Sequence, residues 1–208
     1  MNLFDELHGL RVVPVVKLGN AADAVPMAKA LAAGGLPAAE ITFRTDAAEE
    51  AIRKITRELP DVLLLAGTVL DVETARRALD AGAKAIVSPG TNPAVVEWCL
   101  SRGIPVLPGC ATPTEVETCL RMGLGAVKLF PAEVVGGVKL LKALSGPYAD
   151  VKFMPTGGIS PTNLPEYLAL PNVLCCGGSW IVPETLLAKA DWDGIEQLAH
   201  DAAAINAI

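Results

Sequence analysis

Short apolar or β-branched runs recur along the chain at fairly even spacing, at residues 12–16, 40–43, 63–66, 85–87, 106–108, 126–129, 151–154 and 173–176. Each is too short for a helix and reads as a strand with at least one buried face. The segments between them carry helix signals. Asn92-Pro93 and Thr112-Pro113 set a capping side chain before a proline at the first helical position, and Thr112 with Glu115 fits a capping box. Asp71 is placed to cap the helix after the third run, and Gly34, Gly82, Gly103, Gly123 and Gly146 stand where helices should stop. Segment 134–144 is interrupted by Gly136 and Gly137, so its helix is expected to begin after them. Residues 195–205 place Ile195, Leu198, Ala202 and Ile205 on one helical face.

Strands alternating with helices imply a parallel sheet, because each crossover returns the chain to the same edge. Eight such units in 208 residues predict one domain, residues 1–208, folded as a compact α/β protein of the (β/α)8 TIM-barrel type. The N-terminal segment would be a short helix capping the barrel floor. A doubly wound open sheet is the competing architecture. It calls for a glycine-rich phosphate fingerprint after the first strand, and VVPVVKLGNAAD has none.

Composition narrows the function. The chain is 51% hydrophobic and 4% aromatic, which suits a large aliphatic core, and its net charge of −6 argues against a nucleic-acid or anionic-membrane partner. Neither a basic, apolar leader nor an apolar run of membrane-spanning length is evident, so a soluble cytoplasmic protein is expected. The five cysteines are odd in number and lack CxxC spacing, so they read as small buried residues in a reducing compartment. Cys175 and Cys176 should point to opposite faces of a strand. The two histidines, His8 and His200, lie near the chain ends, leaving little for a histidine triad or zinc site. Chemistry must then run on Lys, Glu, Arg, hydroxyls and backbone groups.

In a barrel of this kind the site lies at the C-terminal ends of the strands. In AEITFRTD, Glu40, Thr42 and Arg44 share one face by period two and should point inward, while Ile41 and Phe43 pack under helices. A buried glutamate and arginine are either a structural pair or directed at a ligand, and Arg44, at the strand top, favours the ligand. Gly67 and Thr68 end the third strand with an approachable backbone and a hydroxyl. Ser88-Pro89-Gly90 and Pro108-Gly109-Cys110 read as tight turns shaping the pocket. The seventh and eighth strands end in MPTGGISPTN and CCGGSWIVP, each a Gly-Gly just before an expected helix start. Loops after these strands recurrently bind phosphate, and Gly157, Gly158, Gly178 and Ser179 are read as a phosphate cradle.

The lysines divide sharply. Lys29, Lys54, Lys84, Lys139, Lys142 and Lys189 fall on helices or loops, and Lys152 lies at the barrel floor. Lys17 closes the first strand, where it either reaches ligand at the mouth or snorkels to solvent. Lys128 sits late in a central apolar strand, AVKL, with no outward route. A lysine in a low-dielectric interior sheds its proton readily, and the neutral amine attacks ketones.

The motifs EITFRT (40–45), AGTVL (66–70), SPG (88–90), KLFPAE (128–133), PTGGISPTN (155–163) and GGSW (177–180) together resemble the bacterial 2-keto-3-deoxy-6-phosphogluconate (KDPG) and 4-hydroxy-2-oxoglutarate aldolases, in order over nearly the whole chain. The resemblance implies that Lys128 forms a Schiff base with the substrate ketone and that Glu40 is the general acid/base. It implies that Arg44 and Thr68 hold the pyruvyl carboxylate, and that Gly157, Gly158 and Ser179 hold phosphate. It further implies a homotrimer that needs no metal and no cofactor, acting on a phosphorylated 2-keto sugar acid to give pyruvate and glyceraldehyde 3-phosphate. An aldolase for a related 2-keto acid, such as the galactonate-derived epimer, and a non-catalytic phosphosugar-binding barrel are the competing functions.

Overall fold

The evenly spaced apolar runs become parallel strands joined by helices in the computed structural model, which describes residues 3–205. The strands are β1 (Val12–Val16), β2 (Ala38–Thr42), β3 (Leu63–Gly67), β4 (Ala85–Val87), β5 (Val106–Leu107), β6 (Gly109–Cys110), β7 (Ala126–Leu129), β8 (Lys152–Pro155) and β9 (Cys176–Gly178). All paired ladders are parallel. The architecture is an α/β fold whose parallel strands form a curled sheet. Its hydrogen-bonded ladders divide into a six-stranded sheet, β5-β4-β3-β2-β1-β9, and a three-stranded one, β6-β7-β8, rather than one continuous eight-stranded ladder. Pro108 has no N–H to donate, and it splits the expected fifth strand into β5 and β6 at the junction of the two sheets. Isolated parallel bridges join Phe153 to Val173 and Thr156 to Gly177.

Alternation along the strands sorts the core into two clusters. Val13, Leu65, Val87, Leu107, Ala126 and Met154 form an inner cluster of strand side chains. Leu7 joins it from the helix Leu3–Leu10. Ile41, Ile86, Val127, Leu129 and Phe153 belong to the larger outer cluster packed under the helices. Cys175 falls in the inner cluster and Cys176 in the outer, and all five cysteines are buried and free.

The caps read from the sequence form. Asp71 accepts the amide of Thr74, Asn92 that of Ala94, and Thr112 with Glu115 completes the capping box. The helix Gly137–Leu144 begins on Gly137 itself rather than after it. Two expectations are corrected. Pro108-Gly109-Cys110 is not a turn: Gly109 and Cys110 are β6, paired with Lys128 and Leu129. The last strand is not 173–176 but Cys176–Gly178, because Gly177 and Gly178 continue the ladder opposite Val13 and Pro14. No helix among the described residues is long and apolar enough to cross a membrane.

Candidate active site

Lys128 occupies the third position of β7, held by β6 on one side and β8 on the other. Its amide donates to the Pro108 carbonyl at 2.9 Å. Glu40 is centred in β2, between Val15 of β1 and Leu65 of β3. From these distant strands the side chains meet: Lys128 Nζ donates to Glu40 Oε1 at 3.0 Å and lies 3.4 Å from Oε2. Lys128 is 5% exposed and Glu40 1%, and every other lysine is half-buried or exposed. Glu40's partner is therefore this lysine and not Arg44. A buried ion pair is a poor stability device, because desolvating two charges offsets most of their attraction. The apolar surroundings read from the sequence are present, including the Phe130 ring with its centroid 5.5 Å from Nζ. To them the structure adds a carboxylate in direct contact, a proton acceptor for the amine.

Gly67 makes room for that carboxylate. A Cβ built on Gly67 would fall on Glu40, 2.7 Å from Cγ and 2.9 Å from Cδ. Gly67→Ala is expected to push the Glu40 side chain off Lys128 and to lower kcat by about 10²-fold with KM little changed, since a misplacement of about 1 Å carries such a loss. Steady-state kinetics, with circular dichroism to verify folding, reads this out.

At the end of β2, Arg44 is exposed on the turn, while the Thr42 hydroxyl donates to the Val16 carbonyl and so fixes β1 to β2. A cleft of ≈ 290 Å³ is lined by Val15, Lys17, Thr42, Arg44, Ser179 and Glu184, among others. Lys17 thus lies at the mouth, its Nζ 2.9 Å from Glu184 Oε1. That contact holds Glu184 below the usual carboxylate range. With side chains 41% and 74% exposed, the pair is held weakly and exchanges easily. Thr68 does not line this cleft. It follows Gly67 directly, with φ 56, a left-handed conformation that costs a β-branched residue about 1–3 kcal/mol and is retained where geometry matters more than stability.

Gly157 and Gly158 adopt φ 98 and 83, open to glycine, in the loop that follows β8. Two features of the expected phosphate cradle are corrected. The loop does not lead straight into a helix: Ser160 N donates to Asn163 Oδ1 and Asn163 Nδ2 to the Gly158 carbonyl, and only then does the five-residue helix Leu164–Leu168 begin. The helix after Ser179 is likewise delayed, to Glu184–Leu187, so no helix dipole abuts either Gly-Gly. Gly178 lies within β9 with the Trp180 indole over its Cα, so its lack of a side chain accommodates the ring, and the exposed Ser179 is what reaches the cleft. Sequence reasoning missed Glu184 and Thr156, and it read Gly67 as an approachable backbone rather than as the space that Glu40 fills. The Thr156 hydroxyl is buried at the end of β8 without a hydrogen-bond partner, and its place directly before Gly157 was the signal. No cluster of three or more His, Cys, Asp or Glu that could hold a metal is found among the described residues.

Comparison with known proteins bears on this arrangement. Residues 4–198 match the family model for KDPG and KHG aldolase. The chain is 50% identical over 200 residues to the 2-dehydro-3-deoxy-phosphogluconate aldolase of Treponema pallidum, covering 96% of this chain and 95% of that protein. Its fold matches the 2-keto-3-deoxy-6-phosphogluconate aldolase of Zymomonas mobilis ZM4, crystallised with 3-phosphoglycerate, with TM-score 0.92, 41% identity and coverage of 99% and 97% of the two chains. It also matches the KDPG aldolase of Legionella pneumophila, in which pyruvate is captured as a covalent carbinolamine intermediate, with TM-score 0.92, 40% identity and coverage of 96% and 97%.

Proposed function

The chain belongs to the KDPG and KHG aldolase family, and from that premise we propose that Lys128 and Glu40 are its Schiff-base lysine and its proton-transfer acid/base. The protein is a carbon–carbon lyase that cleaves 2-keto-3-deoxy-6-phosphogluconate to pyruvate and glyceraldehyde 3-phosphate. The observation that carries the residue assignment is the 3.0 Å contact between a buried amine and a buried carboxylate. Moving one proton from Nζ to Oε1 neutralises both at once and frees the amine lone pair. The amine attacks the C2 ketone to give a carbinolamine, the kind of species captured with pyruvate in the Legionella relative. Loss of water forms an iminium that serves as electron sink. Glu40, directly or through a water, takes the C4 hydroxyl proton. The C3–C4 bond breaks, releasing glyceraldehyde 3-phosphate, and the electron pair passes into the enamine. Protonation at C3 and hydrolysis then release pyruvate and restore Lys128.

Arg44 and Thr68 are assigned to the pyruvyl carboxylate, and Gly157, Gly158 and Ser179 to phosphate. Lys17 shares its cleft with Ser179 and Arg44, so it supplies a second cation at the mouth once it exchanges Glu184 for substrate. The phosphate-free substrate 4-hydroxy-2-oxoglutarate presents the same pyruvyl half. The two ladders are read as a single closed (β/α)8 barrel spanning one domain, residues 1–208. The interruption of the fifth strand at Pro108 and the bridges from Phe153 to Val173 and from Thr156 to Gly177 support that reading. A cytoplasmic homotrimer completes it. Borohydride reduction in the presence of pyruvate tests the assignment: a stable reduced adduct is expected on the peptide containing Lys128. No adduct, or one on another lysine, refutes it.

A further inference from the structure

The segment that carries the catalytic lysine ends in a second acid, Glu133, for which the chemistry at Lys128 has no use. Its backbone docks against the loop after β8: Ala132 N donates to the Thr156 carbonyl at 2.8 Å and Glu133 N to the Gly157 carbonyl at 3.1 Å. Its side chain covers Gly158, with Cγ and Cβ lying 2.6 and 2.7 Å from where a Gly158 Cβ would stand. Beyond that stem, the Tyr167 hydroxyl donates to Glu133 Oε1. Both groups crowd Gly137, whose Cβ would stand 2.6 Å from the Tyr167 oxygen and 2.8 Å from Oε1. Tyr167 is buried on the helix Leu164–Leu168, preceded by Asn163, whose amide grips the Gly158 carbonyl at 3.0 Å. Gly158 is thus held on one side by the Glu133 stem and on the other by Asn163, and Tyr167 ties the two supports together. Burial, reinforced by the Glu133 carboxylate, raises the Tyr167 phenol, so it stays a donor through the neutral range.

We propose that Glu133 and Tyr167 form a strut that sets the Gly157–Gly158 backbone for the substrate phosphate, making both positioning residues for phosphate recognition. The proposal rests on the reading that this loop binds phosphate. A carboxylate beside a phosphate loop would ordinarily repel its ligand. Here the tyrosine anchors that charge, and the apolar stem supports the glycine. Because Glu133 belongs to the same short segment as Lys128, the strut also fixes the phosphate loop relative to the reacting amine.

The test compares Glu133→Ala, Glu133→Gln and Tyr167→Phe on KDPG and on phosphate-free 4-hydroxy-2-oxoglutarate, with inorganic phosphate as competitive inhibitor. Glu133→Ala and Tyr167→Phe are expected to raise the KM for KDPG and the phosphate Ki about three- to tenfold, the size of one supporting hydrogen bond. The kcat on KDPG and the kcat/KM on 4-hydroxy-2-oxoglutarate should stay near wild type. Glu133→Gln, which keeps the stem and an acceptor for Tyr167, should resemble wild type throughout. Equal losses on both substrates, or an unchanged phosphate Ki in both disruptive variants, overturn the proposal. If Glu133→Ala does not fold, Tyr167→Phe, which removes a single oxygen, decides the matter alone. A wild-type enzyme indifferent to the substrate phosphate and to inorganic phosphate would refute the phosphate reading itself, visibly before any variant is made, and the strut with it.

Discussion

Replacing Lys128 by methionine is expected to lower kcat on KDPG by about 10⁴-fold or more, equivalent to at least ~5 kcal/mol of barrier. The loss is large because no second amine can substitute: the lysine at the mouth of the cleft, Lys17, is exposed and faces Glu184. Methionine fills much of the same volume, so the variant loses the nucleophile without opening a large cavity. Lys128→Arg makes the sharper comparison. It keeps a cation against Glu40 but offers no amine that condenses with a ketone, so it should be as inactive as the methionine variant. Stopped-flow or coupled assays of pyruvate release read the rate, and borohydride trapping should give no adduct in either variant. Residual turnover above about 1% of wild type in Lys128→Arg would mean that charge, and not imine formation, carries the reaction.

The parts of this site that were legible in the sequence are those fixed by period and position. Alternation alone put Glu40 and Ile41 on opposite faces, and the structure places Glu40 against Lys128 and Ile41 in the outer core. The isolation of Lys128 in AVKL followed from the absence of an outward path. Less legible were features set by tertiary proximity. Nothing local to LLLAG says that Gly67 is small because a glutamate from the neighbouring strand fills its place. Gly177 and Gly178 read as lying past the strand end just before a helix, yet Thr156 and Trp180 pack on them and the ladder continues. The same local reading made Pro108-Gly109-Cys110 a turn, whereas the proline only displaces the strand from one ladder to the other. Glu133 shows no role within KLFPAE, since its partner Tyr167 stands 34 residues away.

Glu40→Gln is the companion prediction, with an expected fall in kcat of ~10²–10⁴-fold, the usual worth of a positioned acid/base. Glutamine keeps an oxygen that accepts from Lys128 Nζ and has nearly the same shape, so the substitution removes proton transfer while retaining the contact. Glu40→Ala would instead leave a buried ammonium facing a cavity with no acceptor in place of the carboxylate, which costs about 3–5 kcal/mol of stability and would confuse folding with catalysis. Because the contact lies at Nζ itself, Glu40 is expected to act before carbon–carbon cleavage as well as during it. The rate of pyruvate trapping by borohydride should therefore fall in Glu40→Gln together with kcat. If trapping keeps its wild-type rate while cleavage slows, Glu40 serves only the C4 hydroxyl, and the proton on Lys128 leaves by another route. If neither changes by tenfold, the pair is a buried ion pair with no part in proton transfer, and the assignment of Glu40 fails.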